Sequence, residues 1–392
     1  MLTRTRLQRR EPRPAPVVAP RPAADGAVPV GMRIAGAWSW RILAIAGVVG
    51  LLVFLVIQLR YIVIPLLVAV LISALLVPLV QFLRRHRWPK WLAVTVAMVG
   101  LLAIVSGLIF LVVTQITSDF PRLRDRTVER IEEFREYLVT SPLAISEAEL
   151  NQYLAQGWEA LQRDTGALLT GAASVGSTAG HFLAGLLLAL FATLFILIDG
   201  RGIWNWTVRL FPRRARRAVN GSGEAGWLTL TTFVKVQIFV AAVDAVGIAL
   251  VAFFLGLPLV IPIAVMVFLG SFVPIVGAVV TGSVAVFIAL IYQGPVAALV
   301  MLGGVLLVQQ LEGHVLQPLI MGTAVKVHPL AVVVAVAAGG FIAGIPGTLF
   351  AVPIVAVLNV MVKYIASGAW RENPHPVLDD VVSDSGRRKS DV

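Results

Sequence analysis

The sequence predicts an all-α, polytopic integral membrane protein: a helical bundle of about eight transmembrane helices, with Gly/Pro-broken segments in its C-terminal half. Three observations predict it. Of its 392 residues, 58% are hydrophobic and only 14% are charged, where a water-soluble domain carries roughly 25% charged residues. Its mean hydropathy is +0.89. Its apolar residues gather into stretches that reach or approach the ~20 residues a helix needs to cross a bilayer. So much oily surface is stable in lipid and not in water.

The formal charge of +11 does not point to nucleic acid. The basic residues sit in clusters between apolar stretches, where membrane topology places them. Cysteine is absent, which excludes disulfides, thiolate metal sites and cysteine nucleophiles.

Residues 1–40 read as a disordered basic tail, because Arg4, Arg6, Arg9, Arg10, Arg13 and Arg21 alternate with Pro12, Pro14, Pro16, Pro20 and Pro22 and leave little to bury. Trp38 and Trp40 mark a membrane interface. Residues 41–117 hold spans one to three, with Pro65 and Pro78 as kinks in the second. Residues 118–180 are an extramembrane helical segment, residues 181–363 hold spans four to eight, and 364–392 form a tail. The sixth stretch, about 258–291, and the eighth, about 329–363, exceed one straight crossing. They must tilt, break or turn back.

Charge placement orients the chain. Eight Lys/Arg precede the first span, four (Arg84, Arg85, Arg87, Lys90) follow the second, and a third cluster (Arg201 to Arg217) follows the fourth. The segment after the third span is acidic, with ten Asp/Glu against six Arg over 118–180. The positive-inside rule then puts both termini in the cytoplasm and 118–180 outside. Within 118–180, apolar residues from Phe120 to Leu138 recur at helical spacing. Ser141-Pro142 ends that helix, and Ser146 with Glu149 reads as a capping box opening another.

Ionisable groups inside a span are expensive and mark function. Asp244 lies among Val240, Ala241, Ala242, Val243, Ala245 and Val246, an acid that could carry a proton or pair with a cation. Lys235 and Gln237 are expected to snorkel to the cytoplasmic face. A second polar run holds Gln309, Gln310, Glu312, His314, Gln317, Lys326 and His328. Gln310, His314 and Gln317 would share one helix face. Glu312 and His314 are half of a metal site, with no second element, so no metal is expected. Gly270, Pro274 and Gly277, and later Gly344, Pro346 and Gly347, read as helix breaks whose freed backbone groups can line a site. Close packing through small residues explains them equally. Both breaks follow a Pro-Leu pair, Pro258-Leu259 and Pro329-Leu330, a hint of an internal repeat. No HExxH, Walker or GxSxG motif occurs, so neither an enzyme nor an ATP-driven pump is expected, and no cofactor.

The run Ser271–Gly277 resembles the "IP.iG" motif of the autoinducer-2 exporter (AI-2E) family, with Val273-Pro274 where Ile-Pro is usual. Gln309–Gly322 is similar to its segment ending in "P.i.G". Val327-His328-Pro329-Leu330 resembles its "lHPl", and Gly344, Gly347 and Ala351-Val352-Pro353 its closing turn. The resemblance implies a bacterial permease of seven or eight helices in the inner (plasma) membrane, forming homo-oligomers. It implies export of a small polar solute, coupled to a proton or a monovalent cation. A passive channel or facilitator and a non-transporting scaffold for envelope assembly are the rival readings. Extraction tests the membrane assignment: alkaline washing leaves the chain in the membrane pellet and detergent releases it, whereas release by the wash alone contradicts the fold class.

Overall fold

The computed structural model describes residues 30–140, 175–273, 276–316, 328–371 and 376. The described elements are α1 (Val30–Gln58), α2 (Arg60–Arg85), α3 (Lys90–Thr140), α4 (Val175–Arg209), α5 (Arg216–Phe254), α6 (Val260–Gly270), α7 (Val276–Gln293), α8 (Pro295–Leu311), a π turn (Glu312–Leu316), α9 (Pro329–Ala366) and a 3₁₀ turn (Ala369–Arg371). Among the described residues there is no strand, and seven helices are long and apolar enough to cross a membrane. The protein is a polytopic membrane helical bundle.

Residues up to Gln58 form one compact unit and Leu59 onward another. In the first, α1 begins at Val30, inside the stretch expected as tail. Pro29 is the last proline before the first span, and nothing after it breaks the helix. The expectation for 1–29 lies outside the described residues. The apolar window of α1 has no buried residue, as befits a helix facing lipid.

Three apolar clusters hold the described part of the second unit together. Leu76, Val80, Ala93, Val94, Ala97 and Leu197 pack α2, α3 and α4 together. Ile248, Ala252, Ile263, Val267, Ala285, Ala289, Met301 and Val305 join α5, α6, α7 and α8. Ala74 with Leu230 and Val234 connects α2 to α5. The second helix runs through both Pro65 and Pro78. The third span and the extramembrane helix, expected as separate pieces, are one helix of 51 residues. Its apolar part ends at Asp119, and Pro121 lies inside it. The Ser146 capping box lies outside the described residues.

The two overlong stretches resolve differently from straight crossings. The sixth is two helices, α6 and α7, with a reversal between them. A Cβ on Gly277 would strike the Gly270 carbonyl oxygen, and one on Gly270 would meet Thr281 Cγ2 at 2.5 Å. The two arms therefore touch backbone to backbone. The eighth stretch, α9, departs from helical geometry at Ala343 and at Gly344, which has φ 62° and ψ −141°. A Cβ on Gly347 would strike the Gly339 carbonyl oxygen, and the converse also holds. Residues eight apart in a straight helix stand ~12 Å apart along the axis, so α9 too is a hairpin, with arms 329–342 and 345–366. Both hairpins are thus closed by glycine contacts, and each begins next to a Pro-Leu pair. Crowding the first seal tests it. Gly277→Ala lowers the melting temperature in detergent, by the equivalent of ~1–3 kcal/mol. Gly303→Ala, where an added Cβ meets nothing within 4 Å, leaves it within error. Equal melting of the two variants would remove the seal.

Candidate functional site

The site is built around the middle of α5. This helix carries Gln237 and Asp244 seven residues apart, on one face. Asp244 is only 2% exposed. It lies ten residues from the end of α5 at Phe254, ~15 Å along the axis and so near the centre of a ~30 Å hydrocarbon core. The 11 residues of α6 run about the same depth and end at that level. Ser271, the first residue of the reversal, meets Asp244 there.

The contacts are specific. Ser271 Oγ stands 3.1 Å from Asp244 Oδ2 and 2.9 Å from the Val267 carbonyl oxygen. Gln237 Nε2 donates to the Ser271 carbonyl oxygen at 2.8 Å. Gln237 therefore points inward and does not snorkel to the rim as expected, because a backbone acceptor freed by the helix break lies within its reach. Asp244 Oδ1 is buried with no hydrogen-bond partner among the described residues. A hydroxyl has one proton to give, so Ser271 serves the carboxylate or its own helix at any instant, not both.

A further interruption reaches the same level. The eighth helix packs antiparallel on α5: a Cβ on Gly247 would meet Val308, and one on Gly304 would meet Val251. Extending that register by one turn sets Asp244 opposite Leu311, where α8 passes into the π turn. Glu312 opens that turn, half-buried. The outgoing arm of α9 also runs antiparallel to α5, with Gly221 against Tyr364 and Gly226 against Val357 and Met361. The α6–α7 reversal and the π turn after α8 thus flank one depth of α5.

The other expected residues scatter more widely. Gln309 is half-buried on α8, while Gln310 and His314 are exposed. His314 Nδ1 lies 3.3 Å from the Gln310 carbonyl oxygen. Nδ1 of His328 accepts from Leu330 N at 3.2 Å, capping α9. Pro346 lies inside α9, just past its break. Gln317, Lys326 and Pro274 lie outside the described residues. Sequence reasoning missed Ser271 and Gln237 as partners of Asp244. The i, i+7 spacing of two polar residues on an apolar helix was the available signal.

Comparison with known proteins agrees with this architecture. The family model described as AI-2E family transporter matches residues 42–367. MT0215 of Mycobacterium tuberculosis (strain CDC 1551 / Oshkosh), a protein with a provisional transport-protein name, is 37% identical over 360 residues, covering 92% of this chain and 97% of its own. The AI-2 transport protein TqsA of Escherichia coli (strain K12) is 24% identical over 356 residues, covering 83% of this chain and 93% of its own. A helical membrane bundle with these matches along most of its length is a member of the AI-2E family of transporters.

Proposed function

We propose that the chain is a secondary transporter that exports a small polar solute across the bacterial plasma membrane, coupled to a proton carried by Asp244. The observation that supports it most is the carboxylate itself, almost fully buried, bonded through one oxygen to a helix reversal. Such a group in lipid needs a job or a mate. The TqsA relative is named for AI-2 transport, so autoinducer-2 is the first cargo to test.

Orientation follows from charge. Arg84, Arg85, Arg87 and Lys90 lie between α2 and α3, and Arg213, Arg214, Arg216 and Arg217 between α4 and α5. Placing both clusters in the cytoplasm puts both termini there. The α6–α7 hairpin then enters from outside and the α9 hairpin from the cytoplasm. Two gates entering from opposite faces give a solute alternating access to a site between them. Homo-oligomers would cover the second tip, where Phe341 is 94% exposed and Ile345 78%.

The Ser271 hydroxyl supplies the switch. When Asp244 is ionised, Ser271 donates to Oδ2 and leaves the Val267 carbonyl to its helical partners. When Oδ2 carries the proton, the carboxyl donates to Ser271 Oγ, and Ser271 turns its own proton to Val267. In each protonation state Oδ2 and the Ser271 hydroxyl keep a partner, so the reversal can report on the charge of α5.

Two measurements test this. In proteoliposomes, Asp244→Asn inserts and melts like the parent but loses pH-gradient-driven solute accumulation at least tenfold. Retained gradient dependence refutes the coupling role, and a parent that equilibrates solute without ever concentrating it is a channel. Ser271→Ala leaves both carboxylate oxygens without a side-chain donor. It lowers accumulation and the melting temperature together, the latter by the equivalent of ~1–3 kcal/mol, while Ser271→Thr restores both.

A further inference from the structure

Past Asp119 the third helix leaves its apolar stretch and continues as a charged ridge against the open end of the first hairpin. Two side chains, one just before that point and one beyond it, tie α3 to the hairpin. Gln115 Nε2 donates to the Pro258 carbonyl oxygen at 2.7 Å, just before α6. Arg130 Nε donates to the Ile291 carbonyl oxygen at 3.3 Å, near the end of α7, and its Nη1 holds Glu133 at 2.5 Å. Beside these bonds lies an open cleft of about 530 Å³, lined by Arg122, Asp125, Arg126, Glu129, Pro258 and Tyr292, with the Arg122 side chain 79% exposed. Small-molecule sites span roughly 300–1,000 Å³.

The charges in this cavity are ordered. Arg122 and Arg126 are four residues apart, as are Asp125 and Glu129, so each pair forms one stripe along the helix. The two stripes run side by side and sum to zero charge. The guanidiniums hold their intrahelical partners loosely, Arg122 to Asp119 at 3.8 Å and Arg126 to Glu129 at 3.6 Å. Both distances exceed hydrogen-bond length, so the N–H donors are not committed. Asp125 makes no ion pair among the described residues. Tyr292 also lines the cavity, and its hydroxyl, buried within the wall, has no hydrogen-bond partner among the described residues.

We propose that this cavity, separate from the Asp244 site, binds a zwitterionic solute of amino-acid size. Its carboxylate lies along Arg122 and Arg126 and accepts a third hydrogen bond from Tyr292. Its ammonium lies along Asp125 and Glu129. A simple anion meets the acidic stripe, and a simple cation meets the basic one, so each loses on one side what it gains on the other. The orphan phenol hydroxyl finds the acceptor that the protein does not give it.

Calorimetric titration of the full chain in nanodiscs, with L-glutamine as probe, tests the site. The parent binds L-glutamine saturably. N-acetyl-L-glutamine, which lacks the ammonium, and L-glutaminamide, which lacks the carboxylate, bind at least tenfold more weakly. Tyr292→Phe raises Kd about tenfold with an unchanged or higher melting temperature, since it removes a hydroxyl that makes no bond in the free protein. Asp125→Asn raises Kd for L-glutamine by a similar factor. No saturable binding of L-glutamine, equal binding of all three probes, or an unchanged Kd in Tyr292→Phe overturns the proposal. The readout is binding and not flux, so it stands or falls apart from the role of Asp244.

Discussion

A backbone in hydrocarbon must satisfy its own hydrogen bonds, and this constraint organises the molecule. A straight helix meets it without help. A helix that stops at mid-depth does not, because its last carbonyls and the first amides of the next helix lose their partners. Among the described residues, two such stops are reversals, and each is sheltered by tight contact between its arms. Gly270 against Gly277 and Gly339 against Gly347 bring backbone onto backbone, leaving no room for a side chain, lipid or water between them. The left-handed Gly344 makes the second reversal possible, since a side chain there would strain the backbone.

The exposed backbone at the first reversal recruits polar side chains in turn. Gln237 takes the Ser271 carbonyl, and the Ser271 hydroxyl stands between its own helix and Asp244. The acid is therefore not an isolated charge in an apolar helix. It belongs to the same arrangement that makes the break tolerable. The hydrogen bonds that shelter the reversal thus run through the same residues as the buried acid. At its open end the same hairpin is tied to α3 through carbonyls of Pro258 and Ile291, acceptors that occur where helices begin and end.

Much of this was legible in the residues. Composition and stretch length determined a polytopic helical membrane protein, because the free energy of placing apolar surface in lipid depends on residue type and hardly on context. The cost of an acid in a span singled out Asp244 in the same way. Excess length and Gly/Pro content located both interruptions, and the paired Pro-Leu dipeptides hinted at their kinship. What happens at an interruption was not legible. A glycine is a kink, a packing notch or a full reversal according to what stands opposite, and only the fold brought Gly270 to Gly277 and Gly339 to Gly347.

The inward turn of Gln237, its bond to Ser271 and the union of the third span with its outer helix were likewise decided by tertiary structure. Each depends on a partner 15 or more residues away, or on the absence of one, and local periodicity does not record such partners. The sequence by itself determined the solvent, the helices and the buried acid. The tertiary structure decided which breaks meet that acid, because a hydrogen bond across a bundle is set by register between helices and not by the order of residues along one.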